Sequence, residues 1–217
     1  PRGALRVELH GTHASRIVLP RLDAFHARYP ALELIITTGD RRVDLVGEGI
    51  DCALRSGEPE DSSLVARRLA TLEQVICASP AYLERMGIPR TPDSLRDHHG
   101  VHFVSGFKAP DRTLDLIVDG EKRAFTTGGW LTVNDAESYV AAARAGFGLI
   151  QLPRFSLAPH LASGELVEVL PGWKKPALPL YAVYPQRRQL SPRVRVFLDW
   201  IAGIYWEAFG TPENPSP

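Results

Sequence analysis

Three histidines crowd the stretch DHHGVH (His98, His99 and His102), and two more, His10 and His13, flank a turn near the start. Clustered imidazoles are the first place to look for a metal. Neighbouring histidines on extended backbone point to opposite faces, however, and no Asp or Glu stands at a ligand spacing from them. The expectation is a loop and a strand start, with no metal. Nucleophilic chemistry has as little support. Ser56, Ser62 and Ser63 are loop serines with no recognisable base beside them, and neither a GxSxG elbow nor a P-loop is present. Gly146-Phe147-Gly148 is a GxG that follows a helix and precedes a strand, the reverse of a dinucleotide fingerprint, so it reads as a helix end and a tight turn. Asp115 and Asp119 fall on a hairpin, where solvent explains them. Cys52 and Cys77 lie in apolar runs and read as reduced, buried thiols. Neither catalysis nor a cofactor is expected.

Binding chemistry is better supported. The turn 11–15 precedes a helix start, where free backbone N–H groups and the helix dipole attract an anion, and Thr12 and Ser15 add hydroxyl donors. Asn134 marks an equivalent helix start in the second half. Thr37, Thr38, Arg55 and Ser56 fall at the carboxyl ends of two strands, where open parallel sheets hold ligands. Arg55 can pair with a ligand charge or make a structural ion pair. Two helix starts facing a cleft would suit a small, anionic metabolite. His13 is expected on the rim, offering the ligand a hydrogen bond.

Length and charge bound the alternatives. The chain has 217 residues, with 25 Lys+Arg against 25 Asp+Glu, and 44% hydrophobic residues. Zero net charge argues against nucleic-acid binding by this chain itself, because phosphate binding appears as a basic excess. Lys174, Lys175, Arg187, Arg188, Arg193 and Arg195 therefore read as solvated loop ends and a helix face. The opening PRGALRVELH is not a signal peptide, and no apolar run reaches membrane-spanning length, so a cytoplasmic protein is expected. A strand so close to Pro1 reads as the start of a fragment.

The elements that would position these residues follow from pattern. Residues 4–9 read as a strand. A helix is expected over 15–29, where Val18, Leu22, Phe25 and Tyr29 recur at helical spacing with Pro20 in the first turns. A strand follows at 32–38, then a short amphipathic helix at Val43, Leu45 and Val46, then a strand at 50–54. This β-α-β-α-β run implies a parallel sheet. Extended segments at 64–69 and 72–78 carry the chain into a second half. That half has a short helix at 80–86 and another at 91–97. Its strands are 101–104, 130–133, 149–152 and 165–170. Asp119-Gly120 turns a hairpin between 114–118 and 121–126. The spacing Asn134 to Glu137 predicts a capping box for a helix through residue 145, and a short helix lies within 153–163. Strand 180–184 crosses back, Ser191 and Pro192 start the final helix, and 211–217 reads as a tail.

Several stretches carry a family resemblance: DRRVDLVGEGIDCALRSG (40–57), DSSLVARRL (61–69), ICASPAYL (76–83), VLPGW (169–173), YAVYP (181–185) and LSPRVRVFLDW (190–200). In this order they resemble the effector-binding domain of LysR-type transcriptional regulators. The resemblance implies a type 2 periplasmic-binding-protein-like α/β fold. Two Rossmann-like subdomains, 1–70 with 181–217 and 71–180, would be joined by two crossing strands around a ligand cleft. It implies effector contacts at Thr12 and His13, at Thr37 and Thr38, and at Val133, Asn134 and Asp135. It further implies a winged helix-turn-helix domain preceding Pro1, pairing into dimers or tetramers, and contact with promoter DNA and RNA polymerase. The chain departs from many such regulators after the first strand. His10-Gly11-Thr12-His13-Ala14 stands where they read Pro-x-Ser-Phe-Gly, which keeps a hydroxyl but replaces an apolar ring with an imidazole. The same cleft on a periplasmic solute-binding protein is the alternative.

Overall fold

Alternating and continuous apolar runs build the strands, and the computed structural model describes residues 1–40, 44–59, 63–105, 109–186 and 190–210. Val43, Ser62, Arg187, Arg188 and the tail 211–217 lie outside the described residues. The chain divides into two compact units, residues 1–72 with 178–217, and residues 73–177.

The first unit is a mixed five-stranded sheet under helices. β1 (Gly3–Leu9) pairs in parallel with β2 (Leu32–Thr38) and β3 (Cys52–Ser56), while β12 (Leu178–Pro185) runs antiparallel between β3 and β4 (Leu64–Leu72). Leu5, Val7 and Leu9 are buried from alternate positions of β1. In the same layer Phe25 meets Phe197 edge to face, with ring centres 5.8 Å apart. Phe197 belongs to α6 (Pro192–Phe209), whose buried stripe is Val194, Phe197, Leu198, Ile201, Ile204 and Tyr205. A smaller cluster of Leu45, Ile50, Ala53 and Val183 also belongs to this unit.

Three expectations for this unit change. The helical run starts at Gly11, not residue 15. It passes from α1 (Gly11–His13) through a π segment (Ala14–Val18) and a 3-10 turn (Leu19–Arg21) into α2 (Leu22–Arg28). His10 is extended and its carbonyl accepts from Ala14 N–H at 3.0 Å, so the helix nucleates directly on the strand end. Pro20 removes an N–H from the middle of the run, and there the hydrogen-bond register changes. Arg21 compensates nearby, its Nη1 donating to the Ile17 carbonyl at 3.0 Å. Next, residues 45–49 form turns instead of a short helix, with Leu45 buried and Val46 exposed. Finally, Ser191 precedes α6, but its hydroxyl makes no capping bond and is buried without a partner among the described residues.

The second unit is organised on β5 (Gln74–Ala78), which lies between β10 (Ile150–Pro153) and β11 (Val167–Val169), antiparallel to both. Its alternate side chains serve two cores. Ile76 and Ala78 pack with Tyr82, Leu83, Leu114 and Leu116, and Val75 and Cys77 pack with Tyr139, Ala142, Ala143 and Leu157. β6 (His102–Phe103) and β9 (Thr132–Val133) form a short parallel pair. β7 (Thr113–Val118) and β8 (Glu121–Thr126) form the expected hairpin. Asp119 and Gly120 at its tip both have positive φ, 54° and 82°, as a type I′ turn requires. α4 (Ala136–Arg144) and α5 (Arg154–Ala162) complete the frame. The cap of α4 differs from expectation. Asp135, not Asn134, is the N-cap, and its carboxylate accepts from Ser138 N–H at 2.8 Å.

Candidate functional site

The parallel strands of the first unit end at one polar edge. β1 and β2 pair Glu8 with Thr37 and Leu9 with Thr38. Both threonines are exposed, and Thr37 Oγ1 donates back to the Val7 carbonyl at 3.4 Å. Thr12 and Ser15 lie within the first helical turns rather than in a loop before them, because the helix begins early. Thr12 is half-buried, and Ser15 is exposed with its hydroxyl on the Thr12 carbonyl at 3.4 Å.

His13 was expected on the rim but is buried, with 4% of its surface exposed, and its Nδ1 shares a 2.7 Å hydrogen bond with the Tyr205 hydroxyl. Burial lowers its pKa from 6.5 to about 3, with His10 pushing the same way and Asp40 opposing. It is therefore a neutral core group at pH 7. The more open imidazole is His10, whose Nδ1 lies 2.7 Å from Asp40 Oδ1.

Arg55 makes the structural ion pair. Its Nη2 donates to Glu8 Oε2 and its Nη1 to the Leu54 carbonyl at 3.0 Å. The Glu8 side chain is 4% exposed and that of Arg55 19%. The sequence gives no sign of the contacts made by Glu8, Asp40 and Tyr205. Their partners lie 47, 30 and 192 residues away, so spacing carried no sign of them.

In the second unit, Val133 ends β9, and exposed Asn134 leads into the Asp135 cap of α4. The parallel β6–β9 pair thus finishes at a helix start, as the first unit's β1 does.

The histidine stretch is structural. Tyr82 Oη lies 3.1 Å from His98 Nδ1, donates to the His99 carbonyl at 3.1 Å and accepts from His99 N–H at 2.8 Å. His102 Nε2 meets the Gly128 carbonyl at 3.1 Å. Burial is the main cause lowering the pKa of both His98 and His102. Among the described residues no group of three or more His, Cys, Asp or Glu side chains could hold a metal. Cys52 and Cys77 are buried free thiols. Burial pushes the Cys77 pKa up to about 12, and Cys52 moves the same way. Among the described residues no helix is long and apolar enough to cross a membrane.

Comparison with known proteins bears on the use of these rims. The family described as "LysR substrate binding domain" matches residues 1–204. An uncharacterised HTH-type transcriptional regulator of Escherichia coli, YhjC, is 40% identical over 205 residues, covering 94% of this chain and 69% of that protein. The HTH-type transcriptional repressor PA14_22550 of Pseudomonas aeruginosa is 34% identical, with 95% and 65% covered. The chain thus spans about two thirds of the length of these relatives. The regulatory domain of CrgA, a LysR-type regulator from Neisseria meningitidis, superposes with a TM-score of 0.79 at 26% identity, over 94% of this chain and 98% of that one. The mixed α/β sheets and this likeness are those of a type 2 periplasmic-binding-protein-like fold.

Proposed function

This chain belongs to the family of LysR substrate-binding domains, and on that premise we propose that it is the effector-sensing module of a LysR-type transcriptional regulator. A small metabolite binds between the two units and favours one of their relative poses. It does so only through a difference in its affinity for the poses. The observation that carries this reading is the pair of polar strand ends, Thr37 and Thr38 beside the start of α1 in the first unit, and Val133 and Asn134 at the start of α4 in the second. An anionic group on the metabolite belongs at these helix starts, where N–H groups and the dipole favour it. Arg55 is already engaged by Glu8.

In the whole protein the bound metabolite alters DNA binding and transcription. DNA is held by a winged helix-turn-helix domain outside this chain, the regulatory domains pair into dimers or tetramers, and the protein works in the cytoplasm, with RNA polymerase as a further partner. The relatives bear the names of transcriptional regulators, which supports a regulator over both an enzyme and a free solute-binding protein.

A thermal-shift screen against small carboxylates, aromatic acids and phosphorylated compounds tests the sensing step. A true effector at one hundred times its dissociation constant adds about 2.7 kcal/mol of stability. The same compound should change the affinity of the full-length regulator for its promoter fragment. A compound set that shifts nothing, or a bound compound that leaves DNA affinity unchanged, would count against the proposal.

A further inference from the structure

The first unit holds a carboxylate where its strand pattern should place a solvent-facing residue. Glu8 lies between Val7 and Leu9 on the central parallel strand, opposite Thr37 on one side and Ala53 on the other. It is almost wholly buried. Arg55 stands two residues beyond Ala53, nearer the carboxyl ends of the strands, and donates to the Glu8 carboxylate. The pair is asymmetric. The Arg55 side chain retains some exposure, while that of Glu8 has almost none. Among the described residues Arg55 is the ion-pair partner Glu8 has.

A buried carboxylate that loses its cation is heavily penalised, far beyond what an exposed ion pair returns. An incoming carboxylate that captured Arg55 would leave Glu8 buried and unpaired. A neutral oxygen imposes no such exchange. The guanidinium carries several N–H donors, of which the bonds to Glu8 and the Leu54 carbonyl use only part. We infer that Glu8 is a specificity-determining residue acting through Arg55: it makes this point of the first unit a donor to a neutral carbonyl, amide or hydroxyl oxygen of the effector, and excludes a carboxylate there. This rests on the sensing reading and deepens it, since any anionic group of the effector is then held at a helix start and not at Arg55.

Benzoate and benzamide are matched in shape and differ in charge, and serve as probes. Their affinities are measured on the full chain by calorimetry, while the Arg55 side-chain N–H resonance reports binding at that residue. Glu8→Gln should raise benzoate affinity at least tenfold and move benzamide less than threefold, with benzoate now shifting the Arg55 signal. Glu8→Asp, which keeps the charge, should retain the wild-type preference for benzamide. Adding Arg55→Met to Glu8→Gln should abolish the gain. If Glu8→Gln does not fold, Glu8→Ala removes the carboxylate and carries the same test. An unchanged benzoate-to-benzamide ratio in the folded Glu8 variant overturns the inference. So does a wild-type protein whose Arg55 signal already responds to benzoate. The sensing reading fails separately, in the wild-type screen and the DNA assay.

Discussion

His13 shows how burial converts an apparent ligand group into part of the core. The ring is neutral in the folded protein down to about pH 3, whereas an unfolded histidine protonates near 6.5. Between those values the unfolded chain binds the extra proton. Stability is therefore full above the unfolded pKa and is lost as pH falls below it, by about 1.4 kcal/mol per pH unit for one such group. His98 and His102, also lowered by burial, add slope of the same sign. Urea unfolding across this range should show that His13→Gln flattens the curve by close to one proton. An unaltered slope would mean that His13 is charged or exposed in the native protein. Little of this was legible in the sequence. The run LRVEL alternates, so pattern alone would turn Glu8 outward with Arg6, whereas it is buried and paired with Arg55 from a different strand. Tyr205 reads as one more apolar position of a helix stripe, and only folding brings its hydroxyl to His13.

Elements set by local chemistry were readable, and those set by contacts far along the chain were less so. The Asp119-Gly120 hairpin and the α3 helix (Pro80–Met86), which starts at Ser79 with its side chain accepting from Tyr82 N–H, need only neighbouring residues. The starts of α3 and α6 fall where the sequence places them, and that of α4 lies one residue later because adjacent residues can both cap. At α4 both Asn134 and Asp135 qualify, and the structure selects Asp135. Asp135→Ala should cost about 1 kcal/mol in chemical denaturation, and Asn134→Ala a few tenths at most. Equal losses would put the cap back at Asn134. From sequence Gly148 reads simply as part of a tight turn. Its role is close approach: a Cβ built there would lie 2.6 Å from the His99 carbonyl oxygen and 2.9 Å from the Gly100 carbonyl carbon. Both are backbone atoms, which cannot swing away as a side chain can. Gly148→Ala should destabilise the second unit by about 1–3 kcal/mol or more, read as a drop in its unfolding midpoint. An unchanged midpoint would show that the two backbone segments there have room to part.

At the scale of the whole chain, a motif series spread from Asp40 to Trp200 was enough to indicate the family. Strands alternating with helices indicated an α/β chain with one half inserted into the other, and the resemblance implied the type 2 periplasmic-binding-protein-like fold. The identity of the effector could not follow, because the groups that would discriminate between ligands are set by non-local pairs. Glu8 with Arg55 and His10 with Asp40 decide which polar groups are already engaged. The proposed sensing function requires that one small molecule engage polar strand ends belonging to both units. The measurement that tests it most directly is calorimetric titration of the strongest thermal-shift compound into the wild type, Thr38→Val and Asn134→Ala. These substitutions fall at exposed positions, one in each unit, and should leave the fold intact. Each variant should lose about tenfold in affinity, or about 1.4 kcal/mol. A compound bound equally well by all three proteins would contradict the claim and place its site elsewhere.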